Sequence, residues 1–79
     1  MKLGELKAGE KCKVISVGGA GELRIRLLDM GIIPGTTVQI MKYAPMGDPV
    51  EIRLRGYELT LRIADASIVE VEKITEESA

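Results

Sequence analysis

The sequence predicts a mostly β fold, a small barrel of five or six short strands with one short helix inserted between them. Short runs rich in β-branched residues are separated by segments that contain glycine or proline. One segment, which begins at Glu22, carries apolar residues at a helical spacing. Residues 50–63 have the pattern of two strands joined by a tight turn. Short strands with a single helix favour a barrel closed on itself.

The chain begins with an apolar pair and a first strand. Leu3 and Leu6 precede a Lys-Ala-Gly-Glu segment, which we expect to form a turn that places both leucines under the fold. Residues 11–17 alternate loosely and are rich in β-branched side chains, as a strand would be. The glycine-rich run 18–21 then ends the strand. It lacks a P-loop ending and a dinucleotide spacing, so we interpret it as a sharp connection.

The predicted helix begins at Glu22, whose charge suits the positive end of the helix dipole. Leu23, Leu27 and Met30 recur at i, i+4 and i+7, which places them on one face. Gly31 can adopt the left-handed conformation that ends many helices.

A turn and a second strand follow the helix. The Pro-Gly pair at 34–35 fits the two central positions of a type II turn. Residues 36–44 are predicted to form a strand with Val38 and Ile40 on one side. Segment 45–49 contains two prolines, which lack the amide donor a ladder needs, so we expect a projecting loop.

The hairpin over 50–63 is predicted to turn at Gly56-Tyr57, with glycine at the first central position of a type II′ turn. The predicted cross-strand pairs are Leu54 with Leu59, Ile52 with Leu61, Val50 with Ile63, Arg55 with Glu58, and Glu51 with Arg62. A tight turn leads to a closing strand over 68–72, with Val69 and Val71 facing inward.

Length and composition bound the domain count and the protein class. The chain has 79 residues, so we predict one domain over 1–75 and an acidic tail at 76–79. A net charge of −1 argues against a nucleic-acid partner. Cys12 is the only cysteine, which indicates a reducing compartment, and we expect a cytoplasmic protein. No stretch approaches a membrane span or a signal peptide. A core this small supplies little stability, which self-association or a partner would increase, so a homo-oligomer remains one of the alternatives.

The residue types argue against catalysis. The sequence contains no histidine, so Ser-His-Asp and Cys-His arrangements are excluded and the commonest metal ligand is missing. We expect Cys12 to fill core space. Asp48 and Asp65 are weak candidates for a metal ion, and capping a turn is the better interpretation of each.

The predicted helix has a second apolar side. Ile25 and Leu28 lie roughly opposite the first stripe, so either the helix is deeply embedded or one side awaits another protein or a second copy. Arg24 and Arg26 can steer an anionic partner or remain solvated. Met46, in the projecting loop, can extend such a surface or fill a core gap.

Three motifs carry a family resemblance. They are Arg-Leu-Leu-Asp-Met-Gly at 26–31 with Pro-Gly at 34–35, Ala-Pro-Met-Gly-Asp-Pro at 44–49, and Leu61-Arg62 with Ala66. With these motifs the chain resembles the FeoA family over most of its length. The same domain type resembles the C-terminal module of iron-dependent repressors, although no DNA-binding helices occur here.

The resemblance implies an SH3-like β-barrel and a role in bacterial ferrous iron uptake. It also implies a partner, the FeoB transporter, and within it the cytoplasmic GTP-binding domain. Such domains are described as binding transition metals, which implies at most a weak site for Fe²⁺ or another divalent ion.

Our functional prediction is therefore a non-enzymatic cytoplasmic regulator without a tightly held cofactor, which docks to FeoB and does not insert into the membrane. The predicted docking residues are Arg24, Ile25, Arg26, Leu28, Asp29 and Met46. The alternative is an iron-sensing domain that binds a transition metal directly through carboxylates such as Asp48 and Asp65.

Overall fold

A computed structural model describes residues 1–75 as one antiparallel sheet with two short helices. The strands are β1 (Lys11–Val17), β2 (Thr37–Tyr43), β3 (Val50–Leu54), β4 (Tyr57–Leu61) and β5 (Val69–Ile74), and the helices are α1 (Glu22–Asp29) and α2 (Ile63–Ala66). The strand order in the sheet is β4-β3-β2-β1-β5. The mostly β prediction with an inserted helix is confirmed. The predicted tail at 76–79 lies outside the described residues.

Two β-bulges bend the sheet around its core. One lies at Ile15, where the register of β1 against β5 shifts, and the other at Met41, where β2 shifts against β3. A bulge adds a residue to one strand and increases its twist, which lets a short sheet curl over its own apolar face. The buried apolar residues come from every strand and from both helices: Leu3, Leu6, Cys12, Val14, Val17, Leu27, Ile32, Val38, Ile40, Val50, Ile52, Leu54, Leu61, Ala66, Val69 and Val71.

The N-terminal segment closes one end of the core. Leu3 lies in a 3₁₀ turn (Leu3–Glu5), and both Leu3 and Leu6 are buried, as predicted. The hydroxyl of Tyr43 donates to the backbone carbonyls of Gly4, at 3.3 Å, and of Leu6. These bonds fix the segment to the end of β2.

The helix and the turn after it match their sequence predictions. The amide of Thr36 donates to the carbonyl of Ile33 at 3.0 Å across the Pro-Gly turn, and Gly35 has φ +95°. Gly31 ends the helical region at φ +100°. Its neighbour Ile32 donates to the carbonyl of Leu27 at 3.1 Å, which satisfies one of the last helical carbonyls.

The predicted hairpin register is wrong by two residues. The loop is Arg55-Gly56 rather than Gly56-Tyr57, and both loop residues have positive φ, +52° and +83°. Positive φ at both central positions is the signature of a type I′ turn, whose twist matches the flanking strands. The observed pairs are Val50 with Leu61, Glu51 with Thr60, Ile52 with Leu59, Arg53 with Glu58, and Leu54 with Tyr57.

The predicted register is wrong by an even number of residues, which explains why the predicted faces of the hairpin are right although the predicted pairs are wrong. A shift of two residues keeps each side chain on its predicted face, because alternate residues share a face. The apolar prediction therefore held for Val50, Ile52 and Leu54, which are all buried. The charge pairs did not hold: Glu58 binds Arg53, at 2.7 Å, instead of Arg55.

After β4, the predicted tight turn is one turn of helix, α2. Its first amide, on Ile63, is held by Asp48, and Ala66 fills a fully buried position. The closing strand follows with Val69 and Val71 buried, as predicted.

Candidate docking surface

Helix α1 packs one face on the core and leaves a second side exposed. Leu27 is fully buried, while Leu23 and Met30 are partly buried against the core, which confirms the predicted inward face. Leu28 is also partly buried against the core. Ile25 is 58% exposed. The sequence left two interpretations of this second side, burial in the fold or exposure to a partner. Leu28 fits the first, because it packs against the core, and Ile25 fits the second, because it is exposed.

Three polar contacts from other elements attach α1. Arg24 Nε donates to the carbonyl of Val17, at the end of β1, at 3.1 Å. Arg26 Nη2 lies 3.6 Å from Asp65 Oδ2 on α2. At the other end, the hydroxyl of Tyr57 donates to the carbonyl just past α1 at 2.6 Å. Strand, helix and hairpin therefore each hold one point of α1.

The projecting loop is compact around one exposed methionine. Met46 is 93% exposed. The amide of Gly47 donates to the carbonyl of Ala44 at 2.7 Å, and the amide of Ala44 donates to the carbonyl of Pro49 at 2.9 Å. These bonds close the loop on itself, so Met46 projects from a fixed base.

Helix α2 connects this loop to α1. Asp48 Oδ1 accepts from the amide of Ile63 at 3.1 Å, at the first residue of α2. Two residues later, Asp65 approaches Arg26. The predicted docking residues on α1 and in the loop are thus linked through α2. Asp29 is exposed at the end of α1, and Leu28 is the one of the six that packs inward.

The two carboxylates considered as metal ligands both contact protein groups. Asp48 holds the amide of Ile63, and Asp65 faces Arg26. Among residues 1–75, no three His, Cys, Asp or Glu side chains come together as a group that could hold a metal ion. A cleft of about 370 Å³ beside Asp48 is lined by Pro49, Thr60 and Arg62 as well.

The side chains with unusual acidity are buried or paired. Burial raises the pKa of the Cys12 thiol to about 11, so at neutral pH it is protonated and a poor nucleophile. Burial, and then the charge of Glu10, raise the pKa of Tyr43. The carboxyl pKa of Glu10 is lowered, first by its hydrogen bond with Lys73. These shifts belong to structural contacts.

Sequence reasoning missed the part played by Tyr57. It was placed in the turn, whereas it begins β4 and reaches the end of α1. The sequence signal was an aromatic residue next to glycine, and the wrong hairpin register assigned that residue to the turn instead of to β4.

No helix within residues 1–75 has both the length and the apolar character needed to cross a membrane.

Sequence and structure comparisons identify relatives over nearly the whole chain. A family model described as the FeoA domain matches residues 1–73. The chain is 40% identical over 75 residues to the Fe(2+) transport protein A/Fe(2+) transporter FeoB fusion protein of Porphyromonas gingivalis. That alignment covers 95% of this chain and 9% of the fusion protein, so the chain spans under a tenth of its relative's length.

Solved structures share the fold. The NMR structure of a FeoA-like protein from Clostridium acetobutylicum matches with a TM-score of 0.90 and 40% identity, covering 100% of this chain and 92% of that one. The crystal structure of Stenotrophomonas maltophilia FeoA complexed with zinc, described as a prokaryotic SH3 domain protein, matches with a TM-score of 0.81 and 28% identity over 91% and 89% of the two chains. The SH3-like barrel is therefore confirmed, and the chain belongs to the FeoA domain family.

Proposed function

We propose that this chain is a non-enzymatic accessory domain of bacterial ferrous iron transport, which acts in the cytoplasm by docking to the GTP-binding domain of a FeoB-type transporter. One observation carries the proposal. The relative from Porphyromonas gingivalis joins a FeoA segment and a FeoB transporter in one polypeptide. The alignment with that relative covers 95% of the chain described here. Two domains joined in one chain are kept at high effective concentration, which favours a direct contact between them.

The α1 surface supplies the contact that we propose. An exposed isoleucine, flanked on the helix by exposed charged residues, gives a small apolar centre with a polar rim, the usual anatomy of an interface. The apolar centre is Ile25, and Arg24, Arg26 and Asp29 surround it. Met46 extends the surface beyond α2.

Arg24 suits recognition of a partner carboxylate. Its Nε already donates to the carbonyl of Val17, which restricts the side chain and leaves the two Nη groups without a partner within residues 1–75. A pre-ordered guanidinium loses less conformational entropy on binding than a free one.

Docking regulates the transporter only if the domain binds one of its states more tightly. The proposed mechanism is a shift of the GTP-binding domain toward the state that this surface prefers, and the size of the shift is set by the ratio of the two affinities. The Stenotrophomonas maltophilia relative is likewise put forward as an activating factor for ferrous iron transport.

The test is a binding measurement with the isolated GTP-binding domain of the FeoB-type transporter from the same organism, in its GDP-bound and GTP-analogue-bound states. We expect Ile25→Asp to weaken binding about tenfold or more, because a central apolar residue is a typical hot spot. Ile15→Asp is the matched control, since Ile15 is 48% exposed on β1 and the substitution changes the charge equally. We expect the control to bind as the wild type does.

The possible outcomes distinguish a wrong docking surface from a wrong function. Equal weakening by both variants would show that the contact does not centre on α1. Unchanged binding by Ile25→Asp would reject the surface. A wild-type chain that binds neither nucleotide state would reject docking to this domain of the transporter, and equal affinity for both states would reject regulation by a shift of states.

A second candidate function is direct binding of a divalent metal ion, which is favoured by the zinc complex of the Stenotrophomonas maltophilia protein. In this chain Asp48 and Asp65 would be the ligands to test. Anaerobic titration calorimetry with Fe²⁺ measures it directly: stoichiometric binding that Asp48→Asn or Asp65→Asn removes would support the sensor, and heat at the level of buffer dilution would reject it.

A further inference from the structure

Strand β4 leaves one backbone edge of the sheet open. Within the described residues, 1–75, β4 stands at the end of the strand order and pairs only with β3. Leu54 and Tyr57 close a two-residue hairpin loop, so their pair exchanges both backbone hydrogen bonds. Alternation then directs the amides and carbonyls of Glu58 and Thr60 away from β3. None of the backbone hydrogen bonds within residues 1–75 reaches them there.

The opposite edge of the sheet is covered. Lys2 forms an isolated bridge with Glu70, and the amide of Val71 donates to the carbonyl of Met1 at 2.8 Å. The N-terminal ammonium also lies 2.6 Å from the carboxylate of Glu70. Since natural sheets usually protect their edges, the uncovered β4 is the exception in this fold.

The charged side chains along β4 would form opposite-charge pairs if the β4 strands of two copies of this chain paired antiparallel. In an antiparallel pairing centred on Thr60, Glu58 of one copy lies opposite Arg62 of the other, and this occurs twice. Arg62 lies between β4 and α2 with an extended backbone, φ −70° and ψ 146°, although its carbonyl accepts the amides of Asp65 and Ala66. Its exposed side chain forms no ion pair within residues 1–75. Glu58 uses Oε2 for Arg53, which leaves its other oxygen as an acceptor.

The register centred on Thr60 also pairs apolar residues on the inner face of the sheet, and the neighbouring registers give unfavourable or missing charge pairs. Leu59, which is half-buried, comes opposite the buried Leu61 of the second copy. Centring the pair on Glu58 would instead oppose two carboxylates, which is unfavourable. Centring it on Leu59 would oppose Glu58 with Thr60 and leave Arg62 without a partner.

We propose that two copies of this chain associate through β4, antiparallel and centred on Thr60, which extends the two five-stranded sheets into one. The occupant of the free edge is a second copy because the charge pattern matches its own reverse. Such a short strand pair buries little area, so the association is weak and appears at high protein concentration. This contact goes beyond docking to the transporter and uses a different surface from α1.

A charge-swap experiment tests it. Alone, Arg62→Glu opposes two carboxylates at each end of the pair, and Glu58→Arg opposes two guanidinium groups. We expect each variant to dissociate about tenfold more readily than the wild type in sedimentation velocity runs over a range of concentrations. An equimolar mixture of the two variants restores both opposite-charge pairs, so it should associate at least as well as the wild type. Circular dichroism establishes that each variant is folded.

Thr60→Pro provides a second, independent variant. The amide of Thr60 faces away from β3, so its loss leaves the hairpin ladder intact and removes the central donor of the proposed pair. We expect it to be folded and monomeric. Thr60→Val, which keeps the amide, is the matched control and should associate.

Several results would overturn the proposal. A wild-type chain that stays monomeric at millimolar concentration would do so, as would a mixture that associates no better than the separate variants. Association abolished by Ile25→Asp but not by Arg62→Glu would place the contact between copies on α1 instead.

Discussion

Helix α1 and the β3–β4 hairpin are held to the same core by different means. The hairpin is built from a backbone ladder of five residue pairs, and it buries Val50, Ile52, Leu54 and Leu61. The helix has eight residues, of which only Leu27 is fully buried. Its own Arg24 binds a backbone carbonyl of β1, and side chains from α2 and the hairpin contact Arg26 and the end of the helix. Local alternation thus specifies the hairpin, whereas contacts distant in sequence position the helix.

The exposed faces of the two regions differ as well. On the hairpin, the outward face carries a charged pair, Arg53 with Glu58 at 2.7 Å. On the helix, the outward face keeps Ile25 at 58% exposure. An exposed apolar side chain contributes little to stability, so a substitution at Ile25 can test the proposed docking without unfolding the domain.

The largest expected effect comes from the place where helix and hairpin meet. At Gly31, which has φ +100°, an added Cβ would lie 2.7 Å from Tyr57 Oη and 3.2 Å from Leu54 Cδ1. We expect Gly31→Ala to lower the free energy of unfolding by about 3 kcal/mol, from backbone strain plus the clash. Gly35→Ala is the control, because Gly35 has φ +95° and nothing within 4 Å. It should cost about 1 kcal/mol in urea unfolding, from strain alone. Equal costs would show that the hairpin does not press on the helix end.

The next effect separates the two residues on the second side of α1. Leu28→Asp places a charge against the core and should lower the free energy of unfolding by about 2 kcal/mol. Ile25→Asp changes an exposed residue and should stay within about 0.5 kcal/mol of the wild type. Chemical denaturation of both variants measures this. If Leu28→Asp proves neutral, Leu28 belongs to the docking surface together with Ile25.

The strands and the inner faces could be predicted from the sequence, because residue alternation and turn residues are local signals. The inward stripe of α1 and the Pro-Gly turn followed for the same reason. The hairpin register could not be predicted, because Arg55 adopts φ +52° and no propensity rule favours arginine there.

The candidate surface was predicted in part. Spacing identified Ile25 and Leu28 as a second apolar side, but which of them is buried depends on how α1 lies across the sheet. The contacts of Arg24 with Val17, and of Arg26 with Asp65, join residues that no sequence pattern links. Met46 followed from the loop prediction, since a projecting loop exposes its tip.

A smaller effect compares the two tyrosine hydroxyls. Tyr57→Phe removes the hydrogen bond to the carbonyl of Met30, and Tyr43→Phe removes those to the N-terminal segment. Each should cost about 1 kcal/mol. Amide hydrogen exchange distinguishes them: Tyr57→Phe should speed exchange at Gly31 and Ile32, while Tyr43→Phe should leave α1 unchanged. Faster exchange at α1 in both variants would mean that the helix responds to global stability and not to its own contact.

The smallest effect concerns the ion pairs. Asp65→Asn removes the 3.6 Å contact with Arg26, and Glu58→Gln weakens the 2.7 Å contact with Arg53. Both partners of the Arg53–Glu58 pair are exposed, and Arg26 is exposed in the other pair, so each change should stay within about 0.5 kcal/mol and shrink further at high salt. They should nevertheless differ in exchange, because the backbone ladder of β4 does not depend on Glu58, whereas α1 has few other attachments. We expect faster amide exchange in α1 for Asp65→Asn and no change in β4 for Glu58→Gln. Unchanged exchange in both would mean that apolar packing around Leu27 alone positions the helix.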